Sequence, residues 1–114
     1  MNDSDFQRLR AQVPQQRLTT ARERIALLDA LYSEVWRRRE DLHAAMYADF
    51  RKPAEEVDLT EIFVLKSEIA YVKRRLKGWM RPKCVGGGLA MVGSAAWVKP
   101  ESKGVVLIMA PWNY

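Results

Sequence analysis

The chain has 114 residues and a mass of 13.2 kDa, which fits one modest domain and excludes a multi-domain assembly. Hydrophobic residues make up 48% and charged residues 29%, a balance that excludes a disordered tail. The net charge of +5 is a mild excess, and its interleaving with acidic residues argues against a nucleic-acid-binding protein. The single cysteine, Cys84, excludes an intrachain disulfide framework. The first residues lack the apolar core of a secretory signal, and no uncharged run reaches membrane-helix length, so we expect a cytoplasmic, reduced setting.

Two helices are predicted before residue 39. A short helix over residues 3–13 ends at Pro14, because proline lacks the backbone N–H that a helix interior requires. Thr20 and Glu23 form a capping-box pattern, which marks the start of the second helix. The apolar residues that follow recur every three or four positions and give the helix one apolar stripe: Ile25, Leu28, Leu31, Tyr32 and Val35.

Two further helices follow a break near residues 39–41. The third has Leu42, Met46 and Phe50 spaced by four, and Pro53 closes it and opens the fourth. The fourth helix carries the strongest periodic signal in the chain, and Gly78 and Pro82 mark its end. Its stripe indicates a helix that buries one narrow seam: Leu59, Ile62, Leu65, Ile69, Val72, Leu76 and Trp79.

The last part of the chain carries few charges and changes from a helical to a strand pattern. The glycine-rich residues 84–93 fit a turn or a loosely paired strand, and residues 95–100 predict a short strand. Residues 105–110 form an unbroken apolar run between Gly104 and Pro111, which is typical of a strand buried on both faces of a parallel sheet. We therefore predict an α/β fold, and a sheet that is incomplete within 114 residues.

Residues 111–114, Pro-Trp-Asn-Tyr, come directly after that predicted strand. Ligands of open α/β sheets bind beyond the carboxyl ends of the parallel strands, and the amide of Asn113 could donate a hydrogen bond to a ligand oxygen there. An asparagine beside a proline is more often an ordinary turn residue, so the pattern alone leaves both interpretations open.

The complete run over residues 104–114 resembles the strand and loop that open the dinucleotide-binding fold of aldehyde dehydrogenases, in particular the class-3-like branch of fatty-aldehyde and coniferyl-aldehyde enzymes. Residues 49–53 (Asp-Phe-Arg-Lys-Pro) resemble the Asp-Phe-Gly-Lys-Pro stretch of that branch, with Arg51 in place of glycine. Other matches are Arg24 with Leu28 and Leu31, Glu56, Glu61, Glu68 with Ile69, and residues 79–82 (Trp-Met-Arg-Pro). At residues 99–104, Ser102 stands where proline is common.

The resemblance implies an N-terminal part of an NAD- or NADP-dependent enzyme that oxidises an aldehyde to an acid through a cysteine thioester. It implies that Asn113 supplies one oxyanion donor, that Ala110, Pro111 and Trp112 line the cofactor, and that Tyr114 lies at the substrate tunnel. It further implies a cofactor-domain helical part over residues 1–82, an oligomerisation strand arm over 83–103, and the first strand of a Rossmann-like sheet with its loop over 104–114. The implied partner is a second copy, as a homodimer.

The chain's candidate nucleophile, Cys84, and its candidate metal ligand, His43, are not expected to act in those roles. In the family the nucleophile and base lie downstream of the Pro-Trp-Asn loop, whereas Cys84 precedes it in a glycine-rich stretch, so Cys84 is interpreted as inert. His43 lacks metal-ligand spacing and is assigned a surface or packing role, and no metal is expected. We therefore predict that the 114 residues alone are catalytically inactive.

An alternative is a stand-alone helical interaction module of another class. The basic clusters at residues 37–39 and 73–77 could contact phosphates of an anionic partner or cofactor, although a solvated helix face is the commoner explanation. The apolar seam of the fourth helix could dock a partner helix, although such a stripe is more often core.

Overall fold

The computed structural model describes residues 3–86, 88 and 91–109. The chain divides into two compact units, one formed by Thr20–Trp79 and the other by Met1–Thr19 together with Met80–Tyr114. The first unit is helical, and the second combines a helix with a small antiparallel sheet.

The helical unit contains helices α2 (Ala21–Arg37), α3 (Arg39–Phe50), α4 (Ala54–Val57) and α5 (Phe63–Trp79). A π-helical segment, Asp58–Ile62, joins α4 to α5, so the chain is helical without interruption between Ala54 and Trp79. This confirms the fourth predicted helix, and the π-helical segment within it has no signature in the apolar spacing.

The predicted start of α2 is confirmed by its capping box. The side-chain oxygen of Thr20 accepts a hydrogen bond from the backbone N–H of Glu23 at 3.3 Å, and the Glu23 carboxylate accepts one from the backbone N–H of Thr20 at 2.7 Å. The hydroxyl of Thr20 also donates to the Glu23 carboxylate at 2.7 Å, and this bond, followed by the one from the Thr20 backbone N–H, lowers the pKa of Glu23 below its ordinary value. Two donors that the first turn would otherwise leave unpaired are thereby satisfied.

The core of the helical unit is small and follows the predicted seam only in part. Helix α2 packs against α5, and α3 packs against α4. Val57, Ile62 and Ile69 are the buried apolar side chains among the described residues. The rest of the seam is half-buried at Leu65, Val72 and Leu76, whereas its two ends, Leu59 and Trp79, are 65% and 45% exposed. The middle of the seam therefore faces the core as its spacing indicates, whereas Val57, which is fully buried, lies outside the predicted seam.

Arg51 ends α3 in a left-handed backbone conformation, with φ 62° and ψ 27°. A side chain in this region costs roughly 1–2 kcal/mol, which explains why glycine is common at helix C-termini. The guanidinium of Arg51 lies 5.1 Å from the ring centroid of Tyr47, a contact worth about 0.5–1 kcal/mol at an exposed site. The contact therefore offsets only part of the backbone cost.

We expect the substitution Arg51→Gly to stabilise the chain by about 0.5–1 kcal/mol, because it removes the left-handed strain at the cost of one exposed ring contact. Urea unfolding followed by circular dichroism measures the change. Arg75→Gly is the matched control, because Arg75 also caps a tyrosine ring but lies inside α5, where glycine should destabilise by about 1 kcal/mol. Loss of stability in both variants would contradict the assignment of strain to Arg51.

The second unit begins with helix α1 (Asp3–Leu18). The prediction that the helix ends at Pro14 is wrong, because Pro14 lies inside it. The good helix formers after the proline, Gln15 to Leu18, continue the helix. Its end is set instead by Thr19, whose backbone N–H and hydroxyl both donate to the carbonyl of Gln16, at 3.3 and 2.7 Å.

The glycine-rich region forms an antiparallel hairpin of strands β1 (Lys83–Val85) and β2 (Ala96–Val98). Cys84 lies opposite Trp97, and Lys83 lies opposite Val98. Among the described residues these two strands form the only sheet. The pairing confirms that both segments are extended.

The prediction of a fully buried strand over residues 105–110 requires correction. Its described part, residues 105–109, pairs with no strand of the described ranges, and Leu107, Ile108 and Met109 are 73%, 82% and 84% exposed. An interior strand of a parallel sheet needs hydrogen-bonding neighbours on both edges, and the described part of the chain supplies none. The observed architecture is therefore mostly helical with a two-stranded antiparallel sheet, and a parallel sheet is not seen in it.

Candidate functional site

The residues predicted to carry the chemistry lie outside the described residues. These are the oxyanion donor Asn113, the cofactor-lining Ala110, Pro111 and Trp112, and the substrate-tunnel Tyr114. The structure describes the segment that leads into them, residues 104–109.

The segment before the predicted loop starts at a glycine that no other residue could replace without strain. Gly104 has φ 96°, and a Cβ built on it would lie 3.3 Å from Cγ1 of Val13 in α1. Both the positive φ and the close approach of α1 require glycine. A shallow hollow beside this contact is lined by uncharged side chains of Leu9, Gln12, Gln16 and Ser102, which offer hydrogen bonds but no acid, base or nucleophile of catalytic strength.

A polar cluster of Arg39, His43 and Asp58 joins α3 to the π-helical segment. The Nε of Arg39 donates to Oδ1 of Asp58 at 2.7 Å, and a second guanidinium nitrogen pairs with Oδ2. The Nε2 of His43 lies 2.7 Å from the same Oδ1, and the His43 side chain is 17% exposed. His43 thus has the packing role expected of it, with a carboxylate partner that its sequence neighbours did not indicate.

The electrostatics of this cluster favour a permanent anion at Asp58. The hydrogen bonds from Arg39, and then the one from His43, hold the pKa of Asp58 well below its ordinary value. Because the folded-state pKa is lowered, the stabilisation is present at neutral pH and is lost as the pH falls below the carboxyl's ordinary range, around pH 4. Asp58 therefore stays ionised at neutral pH, and its carboxylate ties Arg39 and His43 of α3 to the π-helical segment.

A second ion pair uses two residues of the family-like motif. The Nζ of Lys52 lies 2.8 Å from Oε1 of Glu61, and the side chains are 5% and 35% exposed. Lys52 also lies 5.9 Å from the ring centroid of Phe50. Asp58 and Glu61 both belong to the π-helical segment, which therefore holds α3 and the loop before α4 through two separate carboxylates. The sequence showed Lys52 and Glu61 as motif residues, but not that they pair.

The first basic cluster is paired within its own helix. Arg37 and Arg38 both donate to the carboxylate of Glu34, at 2.6 Å from each, and these bonds lower the pKa of Glu34 to about 2. Arg39 is paired with Asp58, as described above. These contacts agree with a solvated, internally paired helix end.

The remaining candidates form no catalytic constellation in the described part of the chain. Cys84 is an exposed free thiol on β1, opposite Trp97. Across residues 3–86, 88 and 91–109, no group of three or more histidine, cysteine, aspartate or glutamate side chains is arranged to hold a metal ion. Nor does any described helix combine the length and apolarity needed to cross a membrane.

Comparison with known proteins defines the class. The sequence profile of the aldehyde dehydrogenase family matches residues 3–114, which is almost the whole chain. The chain therefore belongs to the aldehyde dehydrogenase family. The helices α1 to α5, the hairpin and the segment that leads to Asn113 all fall within the matched range.

Its curated relatives include the class 3 branch that the sequence motifs indicate. "Aldehyde dehydrogenase family 3 member B1" of Mus musculus is 31% identical over 112 residues, which cover 98% of this chain and 24% of the relative. The Homo sapiens protein of the same name is 33% identical over 109 residues, covering 96% and 23%. "Aldehyde dehydrogenase" of Craterostigma plantagineum is 33% identical over 91 residues, covering 80% and 19%.

The chain thus spans about a quarter of the length of the class 3 relatives that it matches. No solved structure matches the chain. The resemblance to class-3-like aldehyde dehydrogenases is confirmed by these relatives.

Proposed function

We propose that this chain is part of an NAD- or NADP-dependent aldehyde dehydrogenase, which oxidises an aldehyde to a carboxylic acid through a cysteine thioester in the cytoplasm. The observation that carries the proposal is the family match over residues 3–114, which includes the Pro-Trp-Asn loop. The class 3 relatives, themselves named aldehyde dehydrogenases, support the same reaction class.

In this proposal the chain contributes binding and orientation rather than the nucleophile. The amide N–H of Asn113 donates to the aldehyde oxygen as negative charge develops on it, a role that a neutral amide fulfils at any physiological pH. Ala110, Pro111 and Trp112 line the bound cofactor, and Tyr114 contacts the substrate. NAD or NADP, when bound, supplies the hydride acceptor.

The exposed apolar run supports the placement of Asn113 at a sheet edge. Residues 105–109 carry five consecutive apolar side chains, and four of them are more than 60% exposed. Such a run is stable in water only when other strands and helices cover it. We propose that residues 104–114 form the first strand and the loop of a Rossmann-like sheet, and that residues 1–82 form the helical part of the same domain.

The hairpin supports an arm over residues 83–103. Trp97 and Val98 are 63% and 56% exposed on a two-stranded sheet, and two strands alone are marginally stable in water. Pairing with strands of a second copy would cover these side chains and lengthen the sheet. We therefore propose that the hairpin contributes to a homodimer of the enzyme.

The decisive experiment for the function compares two purified proteins. The 114-residue chain alone should produce no NADH or NADPH from aldehydes, because Cys84 precedes the loop and lies exposed on a hairpin strand. The product of the whole gene should reduce the cofactor in an aldehyde-dependent way, and Cys84→Ser should leave that activity unchanged. An inactive gene product with normal folding, or an active 114-residue chain, would overturn the proposal.

The family match favours the enzyme over the stand-alone interaction module. Membership of the aldehyde dehydrogenase family over residues 3–114 supports a part of an enzyme rather than a module of another class. The packing of α2 against α5 supports a structural role for the middle of the apolar seam.

A further inference from the structure

The end of α5 carries a positively charged aromatic surface that the proposed function does not use. This surface, which we call the α5 aromatic corner, consists of Tyr71, Arg75 and Trp79 on one side of the helix. The Cζ of Arg75 lies 4.7 Å from the ring centroid of Tyr71. The ring centroids of Tyr71 and Trp79 are 5.9 Å apart. Both rings are more than 40% exposed.

The α5 aromatic corner lies in a region that carries more positive charge than is needed to balance the dipole of the helix C-terminus. Residues 71–79 contain four basic side chains and no acidic one. Lys73 pairs with Asp29 of α2, whereas Arg74, Arg75 and Lys77 have no carboxylate partner among the described residues. By helical geometry Arg75 lies within the corner and Arg74 lies beside it, whereas Lys77 lies on the opposite side of α5. The dipole of a helix C-terminus is equivalent to only about half a negative charge, so Arg74 and Arg75 leave this side of the helix end positive.

The combination of residues indicates a protein partner. Tyrosine, tryptophan and arginine are the residues most enriched at the energetic centres of protein interfaces. The guanidinium of Arg75 can bind a carboxylate with two parallel hydrogen bonds while it stays stacked on Tyr71. The planes of Tyr71 and Trp79 are inclined by 58°, so they form a corner for an apolar side chain and cannot both stack on successive parallel bases.

We propose that the α5 aromatic corner binds an acidic polypeptide segment, in which carboxylates pair with Arg74 and Arg75 and an apolar side chain covers Tyr71 and Trp79. The surface lies wholly within Thr20–Trp79 and is independent of the loop that carries Asn113. Binding there does not require the enzyme to be active.

The test is fluorescence anisotropy of the full chain with three labelled probes. One is a peptide of Glu-Glu-Leu repeats, one has serine in place of leucine, and one is single-stranded oligothymidylate. We expect the leucine-containing peptide to bind most tightly, and the double variant Arg74→Ala/Arg75→Ala to weaken it by at least about tenfold. Trp79→Ala should remove the preference for leucine over serine, because it removes one wall of the corner.

The matched control is the double variant Arg37→Ala/Arg38→Ala, which removes the same charge from side chains that Glu34 already pairs. It should change the affinity by less than about twofold. Circular dichroism of each variant verifies folding. Equal weakening by both double variants, equal binding of the leucine and serine peptides, tighter binding of the oligonucleotide, or no peptide binding would each overturn the proposal.

Discussion

Replacing Asn113 by alanine in the active enzyme should lower kcat by about 10²–10³-fold, because loss of one oxyanion donor typically removes that much transition-state stabilisation. KM should change little, since the hydrogen bond strengthens mainly as charge develops on the aldehyde oxygen. Steady-state cofactor reduction with a saturating aldehyde measures both constants. The effect is expected to be the largest of any single substitution in this chain.

Two further variants make the Asn113 test specific. Gln12→Ala removes an amide from the hollow beside Gly104 and should leave kcat unchanged, because that hollow has no predicted contact with the reacting oxygen. Asn113→Asp keeps the size but replaces the N–H donor by an anion, and should be at least as damaging as alanine. A normal kcat in Asn113→Ala would remove the oxyanion role from this residue.

The substitution Glu61→Gln should destabilise the chain by about 2 kcal/mol, because it removes the carboxylate beside a lysine that is 5% exposed. Breaking one side of a buried ion pair costs about 3–5 kcal/mol, and the 35% exposure of Glu61 reduces this figure. Urea unfolding monitored by circular dichroism gives the free energy of unfolding.

The opposite substitution, Lys52→Met, should cost less than Glu61→Gln. Methionine fills the buried position without a charge, and the remaining Glu61 carboxylate is still partly solvated. Glu34→Gln serves as the exposed control and should change the free energy of unfolding much less than Glu61→Gln, because surface ion pairs contribute little. Equal urea midpoints for Glu61→Gln, Lys52→Met and Glu34→Gln would contradict this prediction. The Lys52–Glu61 pair would then stabilise the fold no more than an exposed ion pair does.

Local signals determined most of the helical architecture. The capping box at Thr20, the proline at position 53 and the three–four spacing of the α5 seam each act within a few residues, and each was found where the sequence placed it. The prediction for α1 placed its end at Pro14, whereas the helix continues to Leu18 and Thr19 caps its last turn through two hydrogen bonds to the carbonyl of Gln16.

The contacts that organise the candidate polar sites were not predictable in the same way. Arg39 and Asp58 are 19 residues apart and His43 and Asp58 are 15 apart, so no helical or strand period relates them. The π-helical segment that presents Asp58 and Glu61 leaves no trace in apolar spacing. The predicted strand over residues 105–110 depends on neighbours that the described residues do not contain, and the Asn113 loop depends on that strand.

A structure of the complete enzyme with cofactor and a bound substrate-like carboxylic acid tests the central claim most directly. The relevant quantity is the distance between Nδ2 of Asn113 and the ligand oxygen that corresponds to the aldehyde oxygen. We predict a hydrogen-bond distance of about 3 Å, with residues 105–109 paired inside a parallel sheet. A helical conformation of residues 105–109, or an Asn113 amide directed away from the ligand, would contradict the account.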